Sequence, residues 1–262
     1  MIRNLLCIDI GNTHVVIALL DGIKVLDTIR VPSTPLLSVP DYIAPIKDLI
    51  SKLKIKIGTI DGAIISSVVP RLTAPFQEVC TILFENDALV VDHHLPIDLK
   101  IIYDDPAEVG ADRICNAIGA LEQYSAPLIV VDMGTATTFD VVSRNREYLG
   151  GVIMPGLETA GRDLFQRAAK LPKVSFDFPK KIIGTKTRES LQSGLMWGTI
   201  DQIDGLIKRI SYEWGEKDIT IIATGGLSQV IAPHSKTIQK VDKSLTLVGM
   251  AYIYEQVRGD RS

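Results

Sequence analysis

Apolar and polar positions along this chain alternate with two periods. Leu5-Leu6-Cys7-Ile8 and Val15-Val16-Ile17-Ala18-Leu19-Leu20 are apolar runs separated by Asp9-Ile10-Gly11-Asn12-Thr13-His14, which predicts two strands joined by a tight turn. Ile23 to Val31 continues as a third strand, and Pro32 to Pro40, with three prolines, predicts a loop. Asp41 then reads as the cap of a helix to about Leu53, because Ile43, Ile46, Leu49, Ile50 and Leu53 fall on one helical face. Ala63 to Val69 is a buried strand, Thr73 to Phe84 a helix with Phe76, Val79, Cys80 and Leu83 inward, and Ala88 to Val91 a short strand. The predicted order is βββαβαβ.

A helix around Ile114, Ala117, Ile118 and Leu121 opens the second half, followed by strands at Leu128 to Met133, Thr137 to Ser143 and Tyr148 to Met154. Two helices come next, Leu157 to Leu171 and Arg188 to about Trp214, the second with Leu191, Leu195, Leu206, Ile207 and Ile210 as its apolar stripe. A strand at Thr220 to Ala223 runs into Thr224-Gly225-Gly226; a β segment near Ile238 to Val241 and a helix from about Thr246 to Val257 complete the pattern. Asp132-Met133-Gly134-Thr135-Ala136-Thr137-Thr138 repeats the order of acid, glycine and small polar residues seen at Asp9 to Thr13. Two similar α/β half-molecules facing one ligand follow from that repeat.

With 262 residues, 46% of them hydrophobic and 23% charged, the chain suffices for one large domain or two ordinary ones. A formal net charge of -3 and scattered lysines give no footprint for nucleic acid, so a small-molecule partner is expected. Cys7, Cys80 and Cys115 lack C-x-x-C spacing, which argues against a disulfide framework or zinc site and fits a reducing cytoplasm. Asp9 interrupts the first apolar run and no other run is long enough to cross a bilayer, so no membrane association is expected.

Asp9 followed two residues later by Gly11 places a carboxylate beside backbone that can approach phosphate oxygens, with Asn12, Thr13 and His14 as added donors. The same residues also make ordinary hairpin turns; the second copy favours function. Around Asp132, Gly134, Thr135, Thr137 and Thr138 could serve a phosphate or a cation, or the acid could cap local amides. Neither turn is a Walker loop. Thr224-Gly225-Gly226 offers bare backbone to a base or sugar, or is simply a turn. Asp105, Pro106 and Glu108 read as a helix start, on which Asp112 would be an exposed acid and Arg113 its partner. His93-His94 reads as loop or surface, and Gly194 and Gly198 as a place for close helix packing, within the chain or between subunits.

Taken together, Asp9 to Thr13, Gly110-Ala111-Asp112-Arg113, Asp132 to Asp140, Gly150-Gly151-Val152-Ile153-Met154-Pro155-Gly156 and Ala223-Thr224-Gly225-Gly226 resemble the type III pantothenate kinases, of the acetate and sugar kinase, Hsp70 and actin superfamily. The resemblance implies two ribonuclease H-like (actin-like ATPase) domains, each a mixed five-stranded sheet flanked by helices, with the active site in the cleft between them. It divides the chain into residues 1-112, completed by a helix at about 243-258, and residues 113-242. It implies transfer of the ATP γ-phosphate to the 4′-hydroxyl of pantothenate. Asp9, Ile10, Gly11, Asn12, Thr13, His14, Val15 and Val16 would hold the triphosphate and its Mg²⁺, and Thr135 would contact the nucleotide. Asp132 would help hold a monovalent cation, K⁺ or NH₄⁺.

By the same resemblance Asp112 is the general base, which reverses its reading from pattern alone. Tyr103, Gly110, Ala111, Asp112 and Arg113 would line the pantothenate pocket, with Thr187 supplied across a homodimer interface. His14 and Lys186 depart from the residues usual in the family. Two rival readings are a regulator similar to the Bvg accessory factor proteins and a kinase of another small acceptor.

Overall fold

In a computed structural model, residues 3–34, 38–168 and 170–259 are described; residues 35–37 of the predicted proline-rich loop lie outside them. The chain forms, in order, β1 (Leu5–Ile10), β2 (His14–Asp21), β3 (Lys24–Pro32), α1 (Val39–Lys52), β4 (Gly62–Ser67), α2 (Pro70–Phe84), β5 (Leu89–Val90), β6 (Lys100–Ile101) and α3 (Ala111–Gln123). It continues as β7 (Leu128–Met133), β8 (Ala136–Val142), β9 (Glu147–Pro155), α4 (Leu157–Arg167), α5 (Thr187–Trp214), β10 (Thr220–Thr224), α6 (Ser228–Ile231), β11 (Lys240–Val241) and α7 (Leu245–Gly259). Two compact units result: Met1–Tyr124 with Asn145–Leu149 and Ser244–Ser262, and Ser125–Arg144 with Gly150–Lys243.

The first unit is built on a sheet in the order β3-β2-β1-β4-β5, in which β2 runs antiparallel to β1 and β3 while β4 runs parallel to β1 and β5. Alternation along β1 sends successive side chains to opposite faces. Leu6, Ile8 and Ile10 join one core cluster with Tyr42, Ile46 and Leu49 of α1 and Leu72, Phe76 and Val79 of α2, where the Tyr42 and Phe76 rings lie 4.5 Å apart. Cys7 takes the other face, its Sγ 4.0 Å from the Leu247 carbonyl of α7. Asp9, two residues on, shares that face.

Helix α7 lies against α3 with glycine on both sides of the crossing. A Cβ on Gly249 would stand 3.0 Å from the Gly119 nitrogen and collide with the Cys115 carbonyl, so the two backbones touch where any side chain would hold them apart. The Thr246 hydroxyl donates to Asn116 Oδ1 at 2.7 Å across the same crossing.

In the second unit the sheet order is β11-β10-β7-β8-β9, with β8 antiparallel to β7 and β10 parallel to both β7 and β11. This repeats the plan of the first sheet. A sixth short strand, absent from the five-stranded expectation, is β6, which pairs in parallel with Glu147 and Tyr148 at the start of β9; these residues and β6 are counted with the first unit.

Local chemistry moved several predicted boundaries. Helix α1 is capped by Ser38 rather than Asp41; Asp41 is the third helical residue and its carboxylate accepts the Ser38 N–H at 3.0 Å, closing a capping box. Asp105 caps only a single 3₁₀ turn, Pro106–Glu108, accepting the Ala107 N–H at 3.0 Å, and α3 starts afresh at Ala111. On α5 the buried stripe is Ser193, Met196, Ile200, Ile203 and Ile207, so of the residues expected there Ile207 alone is fully inside. Gly194 and Gly198 face open space, with nothing within 4 Å of a Cβ, and make no close crossing within the chain.

Candidate active site

Asp9 is the fifth residue of β1 and the half-buried exception in an otherwise buried strand. Across the sheet it faces Val16 on β2 and Ser66 on β4, and the fully buried Ser66 hydroxyl donates to Asp9 Oδ1 at 3.0 Å. The turn beyond it is held from both ends. The Gly11 N–H donates to the His14 carbonyl at 3.1 Å, while Ser33 donates its hydroxyl to the Gly11 carbonyl at 2.6 Å and its N–H to the Thr13 carbonyl at 3.1 Å. Asn12, Thr13 and His14 therefore stand exposed on a braced turn. Ile10 and Val15 are fully buried and Val16 half-buried, so the first two can offer a ligand only their backbone.

The first turn of α3 closes on the same strand ends. Val68 N–H donates to the Ile10 carbonyl at 3.0 Å, and a Cβ on Gly110 would lie 2.6 Å from Asp112 Oδ1 and 3.4 Å from Val68 Cγ1, so a side chain at residue 110 would press on the Asp112 carboxylate. Ala111 is buried behind them. Asp112 Oδ1 accepts the Arg113 N–H at 2.8 Å. Burial pushes the Asp112 carboxyl above its ordinary range, against the pull of that N–H and of the Arg113 charge. Cys115, one turn further, is fully buried; burial holds its thiol protonated, and the charges of Asp9 and then Asp112 act in the same direction, with Ser66 in hydrogen-bond reach. Ser66 and Asp9 are thus joined by a hydrogen bond, and Asp112 stands at the start of α3, which packs at Val68 beside their strand ends.

Arg113 is 5% exposed, and its guanidinium carbon sits 5.6 Å from the centre of the Tyr148 ring. The half-buried Tyr103 has its ring 6.3 Å from the same Tyr148. Tyr148, not singled out in the sequence, therefore joins two residues that were. Thr187 belongs to the second unit, where it is the exposed first residue of α5.

Asp132 repeats the placement of Asp9: fifth in a six-residue strand, half-buried among buried neighbours, opposite Thr138 on β8 and the buried Thr224 on β10. Gly225, at φ +88°, passes so close that a Cβ would lie 2.5 Å from Asp132 Oδ1 and 2.7 Å from the Met133 backbone, while beyond it Gly226 is exposed with open space at its Cβ position. The β7–β8 turn is closed by Gly134 N–H donating to the Ala136 carbonyl at 3.0 Å. Thr135 is exposed at its tip, with its carbonyl accepting the Gly156 N–H at 3.1 Å and the Thr159 hydroxyl at 2.7 Å. Those bonds tie the turn to the start of α4.

One feature lies outside the expected set. Asp204 of α5, 6% exposed, accepts hydrogen bonds from Ser235, Thr237 and the Lys236 N–H, which together outweigh burial and keep its carboxyl low. It closes the loop leading to β11. Among the described residues no group of three His, Cys, Asp or Glu converges to hold a metal ion, and no helix is long and apolar enough to cross a membrane.

A duplicated sheet with an acid at the same place in each copy is the plan of the actin-like ATPase and sugar kinase fold, two ribonuclease H-like halves. Similar solved structures bear this out: a Campylobacter jejuni protein described as a conserved Baf family transcriptional activator, at TM-score 0.61 and 20% identity over 96% of this chain and 98% of that one, and MreB 5 of Spiroplasma citri bound to AMPPNP, at TM-score 0.55 and 10% identity over 99% and 98%. These show the fold alone. Within that class the chain belongs to the type III pantothenate kinase family, whose model matches residues 5–209. A type III pantothenate kinase of Pelobacter propionicus is 41% identical over 255 residues, covering 97% of this chain and 100% of that relative.

Proposed function

We propose that this chain is an ATP-dependent pantothenate kinase, transferring the γ-phosphate to the 4′-hydroxyl of pantothenate to give 4′-phosphopantothenate. Family membership supports the reaction, and the observation within the chain that carries it is that the start of α3, with Asp112, packs at Val68 beside the ends of β1 and β4, where Ser66 holds Asp9. Phosphoryl transfer asks for positioned groups and charge neutralisation rather than a covalent partner.

The residues present suit the nucleotide. The braced turn exposes Asn12, Thr13 and His14, and Gly11 leaves the backbone bare where a Cβ would stand 3.1 Å from the His14 carbonyl. Mg²⁺ takes one or two carboxylates and completes its shell with phosphate oxygens and water, which matches a single half-buried Asp9 better than a three-acid cage would. When bound, the ion neutralises phosphate charge. Thr135 and the bare backbone at Gly225 and Gly226 suit the rest of the nucleotide, and Asp132 suits K⁺ or NH₄⁺. Each assignment is ours.

Asp112 accepts the proton of the 4′-hydroxyl, a role that its poor solvation favours by making the carboxylate more basic. Arg113, oriented by Tyr148, pairs with the pantothenate carboxylate, and Tyr103, Gly110 and Ala111 shape the space around it. Thr187, exposed on α5, serves the site of a second copy in a cytoplasmic homodimer. The first test is phosphorylation of pantothenate by the purified protein with Mg²⁺ and either K⁺ or Na⁺, read by product mass. We expect 4′-phosphopantothenate, formed faster with K⁺; ATP binding without any product would favour another acceptor or a regulatory protein.

A further inference from the structure

We propose that Ser66 is a positioning residue that fixes the Asp9 carboxylate toward the Mg²⁺–nucleotide. The inference rests on the reading of Asp9 given above and goes beyond it. Ser66 is fully buried, sits directly opposite Asp9 in the β1–β4 ladder, and donates to Oδ1 at 3.0 Å. An acid two residues from an open turn has two rotatable bonds, and a carboxylate that must meet an ion with strict geometry gains from having one oxygen pinned. The bond to a charged acceptor also satisfies a buried hydroxyl that would otherwise be costly to enclose.

The duplication supplies an independent observation. In the second unit the position beside Asp132 on the parallel strand is Thr224, 1% exposed, as Ser66 is beside Asp9. Each half thus places a buried hydroxyl residue next to its acid.

Binding of a non-hydrolysable ATP analogue, measured by titration calorimetry with and without Mg²⁺, separates positioning from packing. Ser66→Ala should weaken binding of the Mg²⁺ complex about tenfold, the scale of one hydrogen bond to a charged group, and leave binding of the metal-free analogue within about twofold. Ser66→Thr, which keeps the hydroxyl, should restore most of the loss, and Ser66→Ala should add nothing to Asp9→Asn. Thermal melting checks that each variant is folded; the nearly isosteric Ser66→Cys repeats the test should the alanine variant not fold.

Wild-type binding by Ser66→Ala beside weak binding by Asp9→Asn would overturn the role of Ser66 alone. Equal losses in the alanine and threonine variants, or equal losses with and without Mg²⁺, would reduce Ser66 to packing and also overturn it. Wild-type binding by Asp9→Asn would overturn the reading of Asp9 itself, and this proposal with it.

Discussion

Asp112 is held in surroundings that oppose its charge. Its folded-state pKa is raised above the ordinary carboxylate value of 3.8, so folding favours the neutral form; whatever stability that form contributes is complete below the ordinary value and is lost as pH rises through the raised one. Once ionised, the group is a burden on the fold, and its basicity is what the proposed reaction would use. Asp112→Asn should lower kcat by roughly 10²- to 10⁴-fold while melting at the same temperature as wild type or higher, and the acid limb of the wild-type rate profile should fall above the ordinary carboxylate range and vanish in the variant. Steady-state kinetics and calorimetric melting check both halves.

The residues of the candidate site were unequally legible. Asp9, Gly11 and Asp132 could be read directly, because an acid closing an apolar strand before glycine is a local signal and occurs twice. Asp112 looked like a surface acid: a helix's first turn gives no hint of what a distant strand will bring beside it. Ser33, Ser66 and Tyr148 were not readable at all. Ser33 closes the turn from 22 residues away and Ser66 meets Asp9 from 57, and neither distance leaves a mark in the sequence.

At the level of elements, helix placement decides where Asp112 and Cys115 stand, since α3 carries both and is set by its crossing with α7. A methyl on Gly249 has no room: the Cys115 carbonyl and Gly119 nitrogen occupy it. Gly249→Ala should destabilise the protein by about 1–3 kcal/mol, the range for forced overpacking, and should raise KM or lower kcat although residue 249 lies outside the proposed ligand contacts. Chemical denaturation and kinetics measure the two effects. The sequence drew attention to the other glycine pair, Gly194 and Gly198, because their spacing lies within one helix and can be counted. Gly119 and Gly249 pair across helices, and no spacing rule reaches that far. Similarly, the apolar stripe of α5 was misjudged because its inward face carries Ser193, Thr199 and Asp204, whose polar groups find partners that periodicity does not foresee.

For the whole molecule, the repeated sheet was the most legible feature, since two similar hydrophobic patterns in one chain ask for two similar folds. The repeat also puts two acids in equivalent positions, and the roles proposed for them differ. If Asp132 serves a monovalent cation and Asp9 the divalent ion, Asp132→Asn should abolish the advantage of K⁺ over Na⁺ while leaving the Mg²⁺ concentration for half-maximal rate within about twofold, and Asp9→Asn should do the converse. Rates across paired K⁺ and Mg²⁺ titrations would show whether the two dependences separate.

The chain leaves its first unit after Leu149 and returns to it at Ser244, when α7 comes to lie on α3 and on the face of β1 that carries Cys7. On the ribosome this imposes an order. The first unit is completed last, and the part of its sheet and of α3 that α7 covers stays uncovered until the last residue of the second unit has been made. A stalled or clipped chain would thus display the surface that chaperones and proteases read, so that an incomplete enzyme marks itself for removal before it can bind a nucleotide to no purpose.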